Sequence, residues 1–421
     1  MRKDLKELLQ NTFYLYLVQG LNYLLPLVTL PYLLLTLSTE SFGEYSFSFA
    51  FSQFAVLFVD FGFNLSGTKR VAENSDDESF LKVYFWRIVF IKSMFFTIVL
   101  AILLVAIQIS ETLFYYKQGL YASLFMVLGT VFFPVWWFQG MNKMKILSLV
   151  NAVSKILIYP LIFLFVVNEN DAFLAIIIQG GTMVFAGILS FFYLLIYKKD
   201  YFKLENVSLP WLELKNEIKY AWPIFLSNSS ISLYTNSLTL LLGFFSTSYY
   251  VGVFGAMERI VRVVCFGILG PVNQACFPVI ARVKKTDFSK ARQIFNYVFF
   301  AVISLLSLAY IGYLVFRQYI FSVFMKGYVG MESHLTLFML TIFPIALGGV
   351  CGQLGLLALG DEKLKKIFSK TYIYCGIGSI PLSLFSIYLF NLNGAMFSMM
   401  FVELTLFVVM FYHIKLNKFL I

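Results

Sequence analysis

The stretch Val251-Gly-Val-Phe-Gly-Ala-Met-Glu-Arg-Ile-Val-Arg-Val-Val264 places Glu258, Arg259 and Arg262 inside a run that otherwise has the composition of a membrane-buried helix. An ionisable group at the bilayer centre costs about 2.5 to 3.5 kcal/mol on insertion scales, so such groups face a bundle interior or a water-filled cavity. The stretch therefore indicates a transmembrane helix with one polar, functional face.

The rest of the chain has the composition of a protein that crosses the membrane many times. Of its 421 residues, 60% are hydrophobic and only 13% are charged, and the mean hydropathy is +0.82. A span needs about 20 mostly apolar residues. We predict an all-α polytopic membrane protein with 12 transmembrane helices, near 11–37, 42–65, 80–109, 119–140, 146–167, 172–197, 220–245, 249–278, 294–316, 335–359, 368–390 and 394–413.

The basic residues indicate how these spans are oriented. Of the 32 Lys and Arg residues, 24 fall in the termini and alternate loops that share one side, and three fall on the other side, namely Lys117, Arg317 and Lys326. Because short cytoplasmic loops are enriched in Lys and Arg, both termini are expected in the cytoplasm. The net charge of +10 is thus an orientation signal, and we expect no nucleic acid partner.

The longest polar segment divides the chain near its middle. We predict an N-lobe at 1–198 with helices 1–6, a cytoplasmic linker at 199–219, and a C-lobe at 220–421 with helices 7–12.

Short matches between these halves predict an internal repeat. Gly140-Met-Asn-Lys-Met-Lys145 aligns with Gly360-Asp-Glu-Lys-Leu-Lys365, and Phe42-Gly-Glu-Tyr45 aligns with Val251-Gly-Val-Phe254. Repeats of this kind in transporters usually frame a central substrate site.

Eight charged residues fall in the interior of the predicted spans, away from their first and last turns. The five positive ones are Arg87, Lys92, Lys155, Arg259 and Arg262, and the three negative ones are Asp60, Glu258 and Glu403. At about 1.5 Å per residue, most lie near mid-depth, whereas Asp60 is expected close to the cytoplasmic boundary and Arg87 nearer the inner surface. A net positive cavity favours an anionic ligand, and an arginine guanidinium can form bidentate hydrogen bonds to phosphate oxygens.

The alternative is that these charges neutralise one another. Glu258 and Arg262 are spaced i, i+4 in the favourable order, and Asp60 could cap a helix or pair near a gate. Proton or sodium coupling, or gating, is a third role open to Glu258, Asp60 and Glu403.

The first span carries a second set of candidate substrate contacts. Gln19, Asn22 and Tyr23 precede Pro26 and Pro31, which remove backbone donors and permit a bend. Ordinary hydrogen bonding between helices is the competing interpretation.

No motif for a cofactor, a metal or a catalytic centre is present. The sequence has no phosphate-binding loop of the GxxxxGK[ST] type and no HExxH, and its two histidines lack ligand spacing. We therefore expect no cofactor, no metal and no catalytic residue.

Four motifs make the sequence similar to a known family. Gln19-Gly-Leu-Asn-Tyr-Leu-Leu-Pro-Leu-Val-Thr-Leu-Pro-Tyr32, Phe61-Gly-Phe-Asn-Leu-Ser66, Trp137-Phe-Gln-Gly-Met-Asn-Lys-Met-Lys145 and Met257-Glu-Arg-Ile-Val-Arg262 resemble the bacterial O-antigen and capsular polysaccharide flippases. The resemblance implies a fold like that of the multidrug and toxin extrusion proteins, with two six-helix lobes around a V-shaped cavity. It also implies transfer of an undecaprenyl-diphosphate-linked oligosaccharide across the inner membrane, and partners such as a polysaccharide polymerase and a chain-length regulator.

The family's cationic lumen would map onto Arg259, Arg262, Lys92 and Lys155. Two other functions compete with this interpretation. An exporter of cationic drugs with the same fold would need an acidic cavity, which the net positive set disfavours. A membrane polysaccharide polymerase or ligase would be expected to carry a long external loop, and the longest external break, about 317–334, is short.

Overall fold

All regular structure in the described part of the chain is helical. The computed structural model describes residues 20, 25, 28–203, 208–325 and 327–420. Within a bilayer no water is available to the backbone, and a helix satisfies its N–H and C=O groups internally. The predicted all-α membrane fold is thus confirmed for these residues.

Among its described residues, the first half of the chain has ten helices and a short 3-10 turn at Lys199–Phe202. The helices are α1 (described over 28–36), α2 (Thr39–Asp60), α3 (Phe63–Glu73), α4 (Glu78–Ile109), α5 (Glu111–Tyr115), α6 (Lys117–Phe132), α7 (Val135–Gly140), α8 (Met144–Ile158), α9 (Leu161–Phe165) and α10 (Ala172–Tyr197).

The second half contains seven helices and a π-helical segment at Val350–Leu359. The helices are α11 (Trp211–Thr235), α12 (Ser237–Phe245), α13 (Ser248–Val283), α14 (Phe288–Phe324), α15 (Glu332–Met339), α16 (Ile342–Gly349) and α17 (Glu362–Leu416). Asn391, with φ 48° and ψ −122°, divides α17 into two segments that match the predicted spans 368–390 and 394–413.

Nine helical stretches in the described residues are long and apolar enough to cross a membrane. Two of the twelve predicted spans share α17, the span near 220–245 falls on α11 and α12, and most of the span near 11–37 lies outside the described residues. Multiple spans are therefore present, and the count of twelve stays a prediction.

Aspartates fix the start of three long helices. Each of these side chains accepts a hydrogen bond of 2.9 Å from the backbone N–H three residues later in the chain. They are Asp77 at the start of α4, Asp287 at the start of α14 and Asp361 at the start of α17. This N-cap satisfies one of the free N–H groups of the first turn. At exposed Asp77, the bond from the Phe80 N–H lowers the carboxyl pKa below its ordinary value.

The predicted span 42–65 is interrupted near its end. Phe61 and Gly62 have φ of 47° and 78°, in the left-handed region, so α2 stops at Asp60 and α3 starts at Phe63. A Cβ on Gly62 would lie 2.9 Å from the Ile224 side chain, so this position favours glycine both for its backbone and for its close packing.

The described residues pack as two compact units. Unit 1 comprises those within Met1–Leu37 and Glu44–Ser229, and unit 2 those within Ser38–Gly43 and Ser230–Ile421. The chain thus passes from unit 1 to unit 2 after Leu37, returns to unit 1 within α2, and enters unit 2 again within α11. The assignment of 1–198, 199–219 and 220–421 to two lobes and a linker stays a prediction.

Unit 1 is held together by close helix contacts around aromatic side chains. Trp136 and Trp137 on α7 are fully buried. A Cβ on Gly140 would lie 2.5 Å from Val71, so the glycine of the predicted 140–145 motif lets α7 approach α3. Lipid is as apolar as the helices, so such packing, and not hydrophobicity, drives their association.

Candidate functional site

The charged stretch 251–264 lies on α13 in unit 2. Arg262 Nε donates a hydrogen bond to Glu258 Oε1 at 2.8 Å, and Arg262 Nη2 lies 2.7 Å from the same oxygen. The pair expected from the i, i+4 spacing is therefore present. Both side chains are largely buried, with 24% and 13% of their surfaces exposed.

Arg262 keeps hydrogen-bonding capacity beyond this pair. Its Nη2 atom is buried and, beyond the 2.7 Å contact with Glu258 Oε1, makes no hydrogen bond to a residue that the structure describes. Glu403 on α17, which is 7% exposed, interacts electrostatically with Arg262. A buried guanidinium with an unused N–H donor can bind an additional anionic oxygen.

Arg259 points to a different neighbour from Arg262. Its guanidinium carbon lies 5.3 Å from the centre of the Phe42 ring, which is 1% exposed and belongs to the same unit. A cation over a ring face is attracted by the ring quadrupole, so this contact helps to hold the Arg259 side chain in place.

In unit 1, Lys92 and Asp60 form a buried ion pair. Lys92 Nζ lies 2.8 Å from Asp60 Oδ1, and the lysine is 1% exposed. The sequence estimate had placed Asp60 nearer the cytoplasmic boundary than Lys92. The two meet because α3 adds 11 residues after Asp60, so the chain ends this crossing farther along than predicted. In this conformation the pair neutralises both charges.

Arg87 binds the segment that precedes and begins α11. Its Nη1 lies 2.9 Å from Glu213 Oε2, and its Nε donates to the Ser208 carbonyl at 3.4 Å. This arginine is therefore engaged at the predicted inner end of unit 1. Its carboxylate partner lies outside the predicted spans, so counting charges within spans alone did not find it.

A second basic residue contacts the same helix. Arg70 Nε lies 3.8 Å from Glu217 Oε2, and its guanidinium carbon is 4.5 Å from the centre of the Tyr220 ring. Burial is the main reason why the pKa of the Glu217 carboxyl is raised above its ordinary value, and Arg70 opposes that rise. The acidic i, i+4 spacing of Glu213 and Glu217 was the sequence signal for this cluster.

The remaining predicted site residues are Lys155 and three residues of the first span. Lys155 is partly buried in the last turn of α8, where a positive charge is favourable to the helix dipole. Gln19, Asn22 and Tyr23 lie outside the described residues. The structure thus groups Arg259, Arg262, Glu258 and Glu403 in unit 2, and Lys92 with Asp60 in unit 1.

One polar contact in unit 2 was missed by the sequence reasoning. Asn273 Nδ2 donates to Gln353 Oε1 at 2.6 Å, and Gln353 lies in the π-helical segment. π-helical turns are rare in proteins, and those that occur are often found at functional sites. An isolated glutamine within an apolar run gives no spacing signal, so only the fold pairs it with Asn273.

The chain is similar to a polysaccharide biosynthesis family and to two proteins named as O-antigen transporters. Residues 8–284 match the family described as polysaccharide biosynthesis protein. Over its full length the chain is 31% identical to the whole of an Escherichia coli (strain K12) protein named "Putative O-antigen transporter". A Shigella dysenteriae protein of the same name is 28% identical over 96% of the chain and all of its own length.

Similarity to solved structures establishes the fold. One of these is the inward-facing structure of a multidrug resistance MATE family transporter of the MOP superfamily. Its alignment with this chain has a TM-score of 0.69 and 14% sequence identity, and it covers 97% of this chain and 94% of the transporter. The predicted fold like that of the multidrug and toxin extrusion proteins is therefore confirmed.

Proposed function

The chain belongs to the polysaccharide biosynthesis protein family, and on that premise we propose that it is an inner-membrane transporter of O-antigen-type polysaccharide units. We propose further that it carries these units as undecaprenyl-diphosphate-linked oligosaccharides from the cytoplasmic to the outer leaflet. Full-length similarity to two proteins named as O-antigen transporters supports the transport function. The unused N–H donor of buried Arg262 is the observation that supports an anionic substrate.

The diphosphate is proposed to bind the arginines of α13. Glu258 accepts a hydrogen bond from Arg262 Nε, whereas Arg262 Nη2 makes no hydrogen bond to a residue that the structure describes. A diphosphate presents several oxygens, so it can take both nitrogens at once and displace the carboxylate. Arg259, held over Phe42, adds a second positive charge from the same helix. The sugars would follow in the polar cavity, and the prenyl chain would stay in lipid.

Movement of this charge can draw on the membrane potential. A substrate with two negative charges gains about 4 to 5 kcal/mol when it moves outward through 100 mV, inside negative. Proton or sodium antiport is the alternative source of energy, with Asp60, Glu258 and Glu403 as its candidate residues. We propose that both chain termini are cytoplasmic, as the distribution of Lys and Arg predicts.

Alternating access would require the two units to move relative to each other. The chain passes between units within α2 and α11. Pro223 lies inside α11, where it removes a backbone hydrogen bond and permits bending. These two helices are therefore the proposed places at which motion of one unit is transmitted to the other.

The test is to express variants in a host whose own gene for this protein has been deleted, and to measure the surface polysaccharide that each variant restores. Arg262→Gln and Arg259→Gln should each lower surface polysaccharide about tenfold or more, since a hydrogen bond to a charged group contributes about 1.5 to 3 kcal/mol. Lipid-linked units should accumulate in the inner leaflet. Arg282→Gln, an exposed change in the last turn of the same helix, is the control.

Normal export by both variants at normal protein level would overturn the anionic site. Accumulation of fully translocated but unpolymerised units would instead favour a polymerase. Multidrug export is addressed by the same strains, since loss of resistance to cationic dyes with intact surface polysaccharide would favour that function.

A further inference from the structure

A separate pocket lies between α14 and α15 in unit 2, and none of the residues proposed to bind the diphosphate lines it. It encloses about 430 Å³, within the roughly 300 to 1,000 Å³ range of small-molecule sites. Its polar and aromatic lining residues are Tyr310, Tyr313, Arg317, Phe321, Glu332, Ser333 and Thr336.

The spacing of these residues along each helix builds the pocket. Tyr310, Tyr313 and Arg317 are separated by three and four positions, so they share one face of α14. Ser333 and Thr336 lie in the first turns of α15. Tyr313, which is 5% exposed, joins the two helices through a 3.0 Å hydrogen bond between its hydroxyl and that of Thr336.

Packing holds the ring of Tyr310 in place. Its centre lies 6.2 Å from that of Tyr313, nearly parallel, and 6.0 Å from that of Phe343, edge to face. Tyr310 is only partly buried, so it provides a fixed aromatic surface beside the hydroxyl groups.

The charges of the pocket indicate what it can bind. Arg317 and Glu332 both line it, and neither forms an ion pair with another residue that the structure describes. Together they make the pocket neutral, which disfavours both a free phosphate and a simple cation. A guanidinium, a carboxylate and hydroxyl groups around an aromatic surface match a sugar ring, which has hydroxyls at its edge and C–H groups on its faces.

We propose that this pocket is a carbohydrate-binding site for a mono- or disaccharide portion of the exported unit. Arg317 lies 29 residues after the start of α14, about 43 Å along the helix, whereas Lys290 and Arg292 lie in its first two turns. The positive-inside rule therefore puts the pocket toward the external face, where exported sugars emerge. The identity of the physiological sugar rests on the proposed function, but the binding chemistry does not.

The direct test is sugar binding by the purified full-length protein in lipid nanodiscs. Saturation-transfer NMR would be recorded with the methyl glycosides of glucose, galactose, rhamnose, N-acetylglucosamine and glucuronic acid. At least one glycoside should bind the wild type, and Tyr310→Ala and Arg317→Ala should weaken that binding about tenfold or more. Leu337→Trp, a change at an exposed position of the lining, should fill the pocket and have the same effect.

Tyr319→Ala is the matched control, because this tyrosine is 70% exposed on α14 and does not line the pocket. Arg262→Gln should leave glycoside binding unchanged, so failure of the proposed diphosphate site is distinguishable from failure of this one. Glycoside signals that are absent, or equal in the wild type and in all pocket variants, would overturn the proposal. Pocket-dependent binding of phosphoethanolamine in place of the glycosides would also overturn it, in favour of a lipid headgroup.

Discussion

Gly43 and Gly252, which occupy matching positions of the predicted internal repeat, pack against each other in unit 2. A Cβ on Gly252 would lie 3.1 Å from the Gly43 nitrogen and 2.7 Å from the Thr39 carbonyl oxygen. A Cβ on Gly43 would lie 1.9 Å from the Ser248 carbonyl oxygen. The first turns of α2 and α13 therefore approach so closely that neither position has room for a side chain.

Gly43→Ala is expected to disrupt this contact. The added methyl group would collide with backbone, which cannot rotate away, and overpacking of this kind costs about 1 to 3 kcal/mol. The thermal unfolding temperature of the purified variant should fall. Gly267→Ala on α13 is the control, because nothing lies within 4 Å of its Cβ position, and that variant should be as stable as the wild type or more stable. Equal unfolding temperatures for both variants would contradict the close contact.

Because Lys92 and Asp60 form a buried ion pair, we expect the stability lost on replacing one of them to depend strongly on whether the other is present. Lys92→Met leaves the Asp60 carboxylate buried without its cation, and such a loss costs about 3 to 5 kcal/mol. Adding Asp60→Asn should restore much of the stability. The measurement is a double-mutant cycle on thermal unfolding in detergent, and strictly additive losses would show that the two side chains do not interact.

Glu258→Gln is expected to strengthen anion binding by Arg262. The substitution removes the carboxylate that now occupies Nε, so the guanidinium becomes available to phosphate oxygens. Affinity for inorganic pyrophosphate, measured calorimetrically on the purified protein, should rise about tenfold, a gain of about 1.4 kcal/mol. The gain should disappear when Arg262→Gln is added. A gain that persists in the double variant would place the anion elsewhere.

Glu217 predicts a specific pH dependence of stability. Its pKa is raised by burial, so between the ordinary pKa and the raised pKa the folded state binds more protons than the unfolded state. Its contribution to stability is therefore fully present below the ordinary pKa, at about 4.3, and is lost as the pH rises through the raised value.

Glu217→Gln removes this titration. The wild type should lose stability relative to the variant as the pH rises from about 4.3 toward neutral. Thermal unfolding of both proteins across this interval measures the difference. A difference that stays constant, or that changes in the opposite direction, would show that Arg70 and not burial determines the state of this carboxyl.

Local features of the sequence predicted local structure well. The apolar runs predicted the helices that the structure shows, and the i, i+4 spacing of Glu258 and Arg262 anticipated their pairing. The interruption at Phe61–Gly62 was not anticipated, since the hydropathy of 42–65 is continuous through it. At that break Gly62 packs closely against Ile224, which is distant in the sequence.

The sequence by itself determined the helical membrane class and the spacing that allows the ion pair on α13. Each of these follows from residues within one helix, or from the cost of leaving backbone groups without partners in lipid. Only the tertiary structure decided that Lys92 pairs with Asp60, that Arg87 binds Glu213, and that Tyr310 and Arg317 face Glu332 across a pocket. Charge alone does not select among partners on different helices, because an ion pair needs contact distance, and contact distance is determined by how the helices pack.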